Sequence, residues 1–91
     1  MIIKISFDTK AQKDLDRLSI QLRNRILHKL DFYLHQNDPV KFAKRLTNSK
    51  LGSYRFRIGS YRVLFDVNVN GKIRILRILR IVKRSEVYGL L

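Results

Sequence analysis

The spacing of apolar residues changes its period within this chain, and that change limits what the chain can fold into. After one short opening strand, hydrophobic side chains recur at three, four and seven residues; beyond Leu51-Gly52-Ser53 they recur every second residue. A period near 3.6 lines one face of a helix, whereas a period of two lines one face of a strand. Helices therefore come first and an antiparallel sheet second. Ninety-one residues suffice for one core between two packed layers, so a single domain spanning 1–91 is expected.

In order along the chain, Ile3, Ile5 and Phe7 alternate with Lys4 and Ser6 as a half-buried strand, and Asp8 is placed to cap the helix that follows. Ala11, Leu15 and Leu18 mark the apolar stripe of that helix. Ser19 offers a second cap, after which Ile20, Ile26, Leu27, Leu30, Tyr33 and Leu34 continue a second, antiparallel helix to about His35. Asn37-Asp38-Pro39 breaks the pattern and suits the start of a short third turn reaching towards Leu46. Tyr54, Phe56 and Ile58, then Tyr61, Val63, Phe65, Val67 and Val69, form two strands about a Gly59-Ser60 turn. Asn70-Gly71 signals a type I′ hairpin into a third strand from Lys72 to Val82. The expected class is α+β, an N-terminal strand and two antiparallel helices packed on an antiparallel β-meander.

One stretch fits neither period. Arg74, Arg77 and Arg80 recur every three residues, and strict alternation would bury Arg77 together with Ile73 and Ile75. Either a bulge resets the register or the strand is sandwiched between apolar layers with one arginine snorkelling out.

Charge narrows the partners. Twenty Lys and Arg against seven Asp and Glu leave +13 at pH 7, an excess that attracts polyanions: nucleic acid, an anionic membrane or an acidic protein. The half from Tyr54 onwards is the more basic, with nine cations and two acids, Asp66 and Glu86. Absence of cysteine excludes disulfides and thiolate metal sites, and His28 and His35, seven apart on a helix, read as solvated positions rather than ligands. No cofactor or metal is expected. The apolar start, Met1 to Phe7, meets polar residues by Asp8, too soon for a signal segment or a membrane span, and a soluble cytoplasmic protein is the expectation.

If Tyr54, Phe56 and Ile58 face the helices, Arg55 and Arg57 face the other way, beside Arg62 of the next strand. Guanidiniums present forked donors that match phosphate oxygens and stay charged at physiological pH. Lys83, Arg84 and Tyr88 follow at the C-terminal end. These residues lack the paired histidines or grouped carboxylates of most nucleases, yet RNA carries its own nucleophile, the 2′-hydroxyl. Orienting that hydroxyl and stabilising charge on the phosphate then suffice for cleavage. Lys83 or Tyr88 would assist with protons only if their surroundings shift their pKa. The bland alternatives are a solvated basic face, an edge aromatic at Tyr88 and a weak surface ion pair from Glu86.

The run Leu51-Gly52-Ser53-Tyr54-Arg55-Phe56-Arg57-Ile58-Gly59-Ser60-Tyr61-Arg62-Val63-Leu64-Phe65, followed by Lys83-Arg84-Ser85-Glu86-Val87-Tyr88, resembles the RelE/ParE superfamily of toxin-antitoxin modules. The resemblance covers nearly the whole chain and implies the RelE-like microbial RNase fold. For the RelE branch it implies a metal-independent endoribonuclease that enters the ribosomal A site, lies against rRNA and cuts mRNA there. Family catalytic cations, often lysines, would fall on Arg55 and Arg57, the phosphate-gripping arginine on Arg62, the C-terminal cationic pair on Lys83 and Arg84, and the closing tyrosine on Tyr88. Here Ile81-Val82 stands where relatives usually have Val-Gly before the pair. The alternatives are a ParE-like inhibitor of DNA gyrase and a non-catalytic RNA- or ribosome-binding relic. Charge and resemblance together imply an acidic, partly disordered antitoxin that folds over the basic face and displaces the segment from Val87 to Leu91.

Overall fold

The computed structural model describes residues 2–47 and 50–90. Strand β1 (Ile2–Phe7) leads into helices α1 (Thr9–Asp16) and α2 (Ile20–Leu34). A 3-10 turn (Pro39–Phe42) and the two-residue β2 (Lys44–Arg45) precede the meander of β3 (Tyr54–Ile58), β4 (Tyr61–Asn70) and β5 (Ile73–Lys83), and helix α3 (Arg84–Leu90) follows. The five strands form one sheet in the order β1-β5-β4-β3-β2, antiparallel except where β1 runs parallel to β5. This is the expected α+β class. Periodicity did not announce β2, which is only two residues long, or α3, whose single buried apolar residue is Val87.

Alternation places the core. Phe56, Ile58, Val63, Phe65, Leu76, Ile78 and Ile81 point to one face of the sheet, where Ala11 and Leu15 of α1 and Ile26, Leu30 and Tyr33 of α2 cover them. Ile3, Ile5 and Phe7 of β1 extend the same face. Ile20 departs from the expectation: at the first turn of α2 it is exposed, because the core lies beneath the later turns. Among the described residues, no helix is long and apolar enough to cross a membrane.

The caps divide in an informative way. Ser19 Oγ accepts the Leu22 amide, as its position predicts. Asp8 and Asp38 occupy the positions before α1 and the 3-10 turn but cap neither with their side chains. Asp8 instead accepts a two-pronged pair of bonds from Arg77, at 2.7 and 2.9 Å, and Asp38 accepts from Arg74 at 3.1 Å. Asp14 completes the set by binding Arg80 at 2.8 and 3.2 Å. Each arginine of the triplet thus holds one acid of the helical layer against β5, and the bonds to Asp8 and Asp14 raise the pKa of Arg77 and Arg80.

A bulge resolves the irregular period. Leu64 pairs with Arg80 and Phe65 with Ile78, leaving Leu79 unpaired in β5. Before the bulge Leu76 and Ile78 face the helices, and Arg77 is exposed on the outer face rather than buried. After it Ile81 returns to the helix side and Val82 turns outwards to join Leu64 and Val87 in a second small cluster. Asp14 also accepts the Ile81 amide at 2.9 Å, occupying the β5 edge beyond the end of β1. The β4–β5 loop is Gly71-Lys72, one residue later than the Asn70-Gly71 pair expected, with Gly71 at φ +60°. Gly52, at φ +106°, lies so close to the Phe65 carbonyl that a Cβ there would come within 2.7 Å of its oxygen.

Asp14 is 10% exposed, so its removal strands the Arg80 fork and the Ile81 amide together. Asp14→Ala is expected to lower stability by about 2–4 kcal/mol, between the values for exposed and buried ion pairs. Urea denaturation of the purified protein checks this, and Asp16→Ala, which removes one exposed contact to Gln12, serves as the neutral control.

Candidate active site

The outer face of β3 and β4 carries the residues left over once the aromatic side chains turn inwards. Arg57 stands directly across from Arg62, and Arg55 across from Leu64. Arg62 is 7% exposed, and its Nη1 donates to the carbonyls of Gly59 and Tyr61 at 3.0 and 2.8 Å, so the chain about the β3–β4 turn fixes one terminal nitrogen of its guanidinium. Gly59, at φ +58°, makes that turn two residues long. The C-terminal contribution arrives through α3: Val87 is buried against Leu64 and Val82, and the Arg84 amide donates to Ser60 O at 2.7 Å. Arg84 is thereby fixed beside the arginines of β3 and β4.

A cavity of about 470 Å³ results, lined by Arg55, Arg57, Arg62, Arg84 and Tyr88 together with Tyr33, Phe42, Lys44 and Val87. Five of the six candidate residues meet there. Lys83 does not: it pairs with Tyr61, shares the parity of Ile81 on the helix side, and lines no part of this space. Sequence reasoning missed Phe42 and Lys44. The signal was present in the basic pair Lys44-Arg45 just before the sheet, but a two-residue edge strand has no period by which to be recognised.

Electrostatics distinguish this cavity from an ordinary basic surface. Burial lowers the Arg62 pKa most, and the charges of Arg57, Arg84 and Arg55 lower it further. Among the described residues no carboxylate lines the cavity. Asp8, Asp14 and Asp38 are engaged with β5, and Asp66 accepts both the amide and the hydroxyl of Ser53. Burial also raises the Tyr33 pKa. Among the described residues no group of three His, Cys, Asp or Glu could hold a metal ion. Guanidiniums crowded around open space, without counter-ions among the described residues, form a receptor for an anion with several oxygens, such as a phosphodiester.

A sequence profile described as the ParE toxin of the type II toxin-antitoxin system parDE matches residues 5–88. The chain belongs to this toxin family. Similar solved structures carry the same theme. A chain of the RelBE2 toxin-antitoxin complex from Mycobacterium tuberculosis is 25% identical, with a TM-score of 0.63 over 92% of this toxin and 100% of that chain. The RelE-RelB complex from Pyrococcus horikoshii is 30% identical, with a TM-score of 0.60 over 92% and 94%. The RelB-RelE complex from Methanococcus jannaschii is 26% identical, with a TM-score of 0.59 over 91% and 94%. No curated protein sequence matches the toxin. The profile and the structures place it in the RelE/ParE superfamily that its motifs resemble, with the fold expected of that superfamily.

Because the Arg62 pKa is lowered on folding, its charged form is less favourable in the folded protein than in the unfolded chain. This cost is present throughout the physiological range, below the folded pKa, and relieving it stabilises the toxin. Arg57→Gln removes the like charge directly opposite and is expected to raise the melting temperature by a few °C, corresponding to about 0.2–1 kcal/mol. Sulfate should raise it more than sodium chloride at equal ionic strength. Differential scanning fluorimetry reads both effects.

Proposed function

We propose that this toxin is a ribosome-dependent endoribonuclease that cleaves mRNA in the A site. The observation that carries this reading is the convergence of Arg55, Arg57, Arg62 and Arg84 on one cavity that no acid lines among the described residues, with Tyr88 beside them. A surface that only docks on protein has no need to concentrate like charge at a cost in stability.

Arg62 and Arg84 grip the non-bridging oxygens of the scissile phosphate, and Arg55 and Arg57 stabilise the charge that builds there. The 2′-oxygen attacks phosphorus in line and the bond to the 5′-oxygen breaks. The upstream fragment ends in a 2′,3′-cyclic phosphate and the downstream one in a 5′-hydroxyl. Water takes the proton from the 2′-hydroxyl and supplies one to the leaving oxygen, because arginine is a poor proton acceptor. Tyr88, 78% exposed, stacks on a base beside the cleaved bond. The ribosome orients the message, which accounts for a small protein acting without a dedicated base, and it sets the cytoplasm as the place of action.

The partner in the module is an acidic antitoxin that covers the arginines. The net charge of +13 and the toxin-antitoxin complexes among the similar structures support it. Helix α3 is held chiefly by Val87 and the Arg84 amide, so it is the element an antitoxin strand or helix would displace. Leu91, the last residue of the segment expected to move, lies outside the described residues. The matching family is described as a ParE toxin, and inhibition of DNA gyrase, which resemblance to the ParE branch implies, is the second reading.

Programmed ribosomes incubated with the toxin, with message ends mapped by primer extension, distinguish the two. Wild-type protein should cut within the A-site codon. Arg84→Ala should lower the rate about 10²–10³-fold, as removal of one transition-state donor does, with its melting temperature kept within a few °C. Intact message together with blocked supercoiling by gyrase would establish the second reading instead. Among the described residues no histidine or carboxylate lines the cavity, so cleavage should also quicken steadily from about pH 6 to about pH 9 without a bell-shaped optimum, as more of the 2′-hydroxyl ionises.

A further inference from the structure

The cavity has an aromatic wall that phosphate chemistry does not use. Phe65, Phe56, Tyr33 and Phe42 form a continuous pile of rings, with successive centroids 4.4, 4.5 and 5.3 Å apart and planes inclined by 23°, 20° and 32°. The first three belong to the core. Phe42 ends the pile and remains 47% exposed, although its neighbour Tyr33 is 7% exposed. Phe32 meets Phe42 edge-on at 6.3 Å, and Lys29 Nζ lies over the rings of Phe32 and Tyr33. The Phe42 ring is therefore set by packing on one side and open on the other.

Its position gives that open side a meaning. Phe42 lies at the β2–β3 flank of the cavity, two residues before Lys44, which pairs with Arg55. Tyr88 lies at the opposite flank, on α3, which packs over β4 and β5. The arginines of β3 and β4 occupy the space between. Single-stranded RNA offers this succession of groups, a base, a phosphate and a base, and proteins meet it with aromatic rings on either side of cations. An apolar peptide would have to sit against unpaired guanidiniums here, whereas an unpaired nucleobase brings the neutralising phosphate with it.

We infer that Phe42 is the platform for a second unpaired RNA base, stacked across the arginine cluster from Tyr88. This rests on the reading of the cavity as an RNA-cleaving site and adds a specificity subsite to it. The platform is rigid because Tyr33 and Phe56 buttress it, so it selects for stacking area rather than for hydrogen-bonding edges. Purines are held better than pyrimidines. The base belongs to the message or to ribosomal RNA lining the A site, two sources of one chemistry.

The chain contains no tryptophan, so Phe42→Trp introduces a single indole reporter at the platform. Its emission should be quenched saturably by a short RNA with 2′-O-methyl riboses, which cannot be cleaved, if the base is the message's, and not by the same backbone with abasic positions. Quenching by message-free ribosomes, without quenching by the short RNA, would assign the base to ribosomal RNA. Phe42→Leu keeps an apolar side chain but should weaken binding about 5–100-fold. It should leave the slope of log affinity against log salt unchanged, whereas Arg84→Ala flattens that slope by about one unit. Unchanged emission in both arms, while Phe42→Trp still cleaves, overturns the platform and leaves the proposed activity standing. So does a Phe42→Leu protein of normal melting temperature that binds RNA like wild type, or that loses only capture of an acidic antitoxin peptide. Wild-type protein that neither binds nor cleaves RNA overturns the proposed activity and the platform with it.

Discussion

The carboxylate of Asp14 holds one residue of slack in β5, and the arrangement of the site follows from that slack. It receives the Arg80 guanidinium and the Ile81 amide just past the point where Leu79 bulges out of the ladder. One extra residue reverses which side chains face the helices. Ile81 is thereby returned to the core, and Val82 is turned onto the outer face, where with Leu64 it forms the seat for Val87. Without the bulge, Val82 would point inwards and α3 would have no apolar seat. Arg84 and Tyr88 reach the arginines of β3 and β4 because this seat carries α3 across the outer face.

The arginines of the second half divide into two populations with opposite energetics. Arg74, Arg77 and Arg80 each meet an aspartate from the helical layer and tie that layer to the sheet. Arg55, Arg57, Arg62 and Arg84 meet one another, and the pKa of Arg62 is lowered first by burial and then by the charges of the other three. A chain selected for stability alone would spread its acids evenly among both sets. Concentrating unrelieved positive charge where the walls are shaped and partly buried costs stability and gains a strong local field, the usual signature of a working site. The four unpaired arginines supply part of the net charge of +13 and gather that part at one place.

Much of this was legible in the sequence because it follows from parity. Once Phe56 and Val63 are placed inwards, Arg55, Arg57 and Arg62 have to share the other face, and the three-residue spacing of Arg74, Arg77 and Arg80 required either a bulge or a sandwich. Local signals were less dependable where a distant partner competed for the same atoms. Asp8 and Asp38 stand at capping positions, yet their carboxylates are drawn to arginines that are neighbours only in the folded chain. Lys83 was grouped with Arg84 by adjacency, but Lys83 ends β5 with the parity of Ile81 on the helix side, whereas Arg84 begins α3 over the outer face. Phe42 and Lys44 escaped a reading by period, since a 3-10 turn and a two-residue strand carry none and only the tertiary fold brings them to the cavity.

The central claim is that the chain supplies an electrostatic clasp and the RNA supplies the nucleophile, and the chemical ends of the cleaved message test it most directly. Mass spectrometry of the upstream fragment, released on ribosomes by the wild-type toxin, should find a terminal 2′,3′-cyclic phosphate, with a 5′-hydroxyl on its downstream neighbour. A 3′-hydroxyl opposite a 5′-phosphate would mean that water attacked the phosphorus, and the account given for these arginines would be wrong.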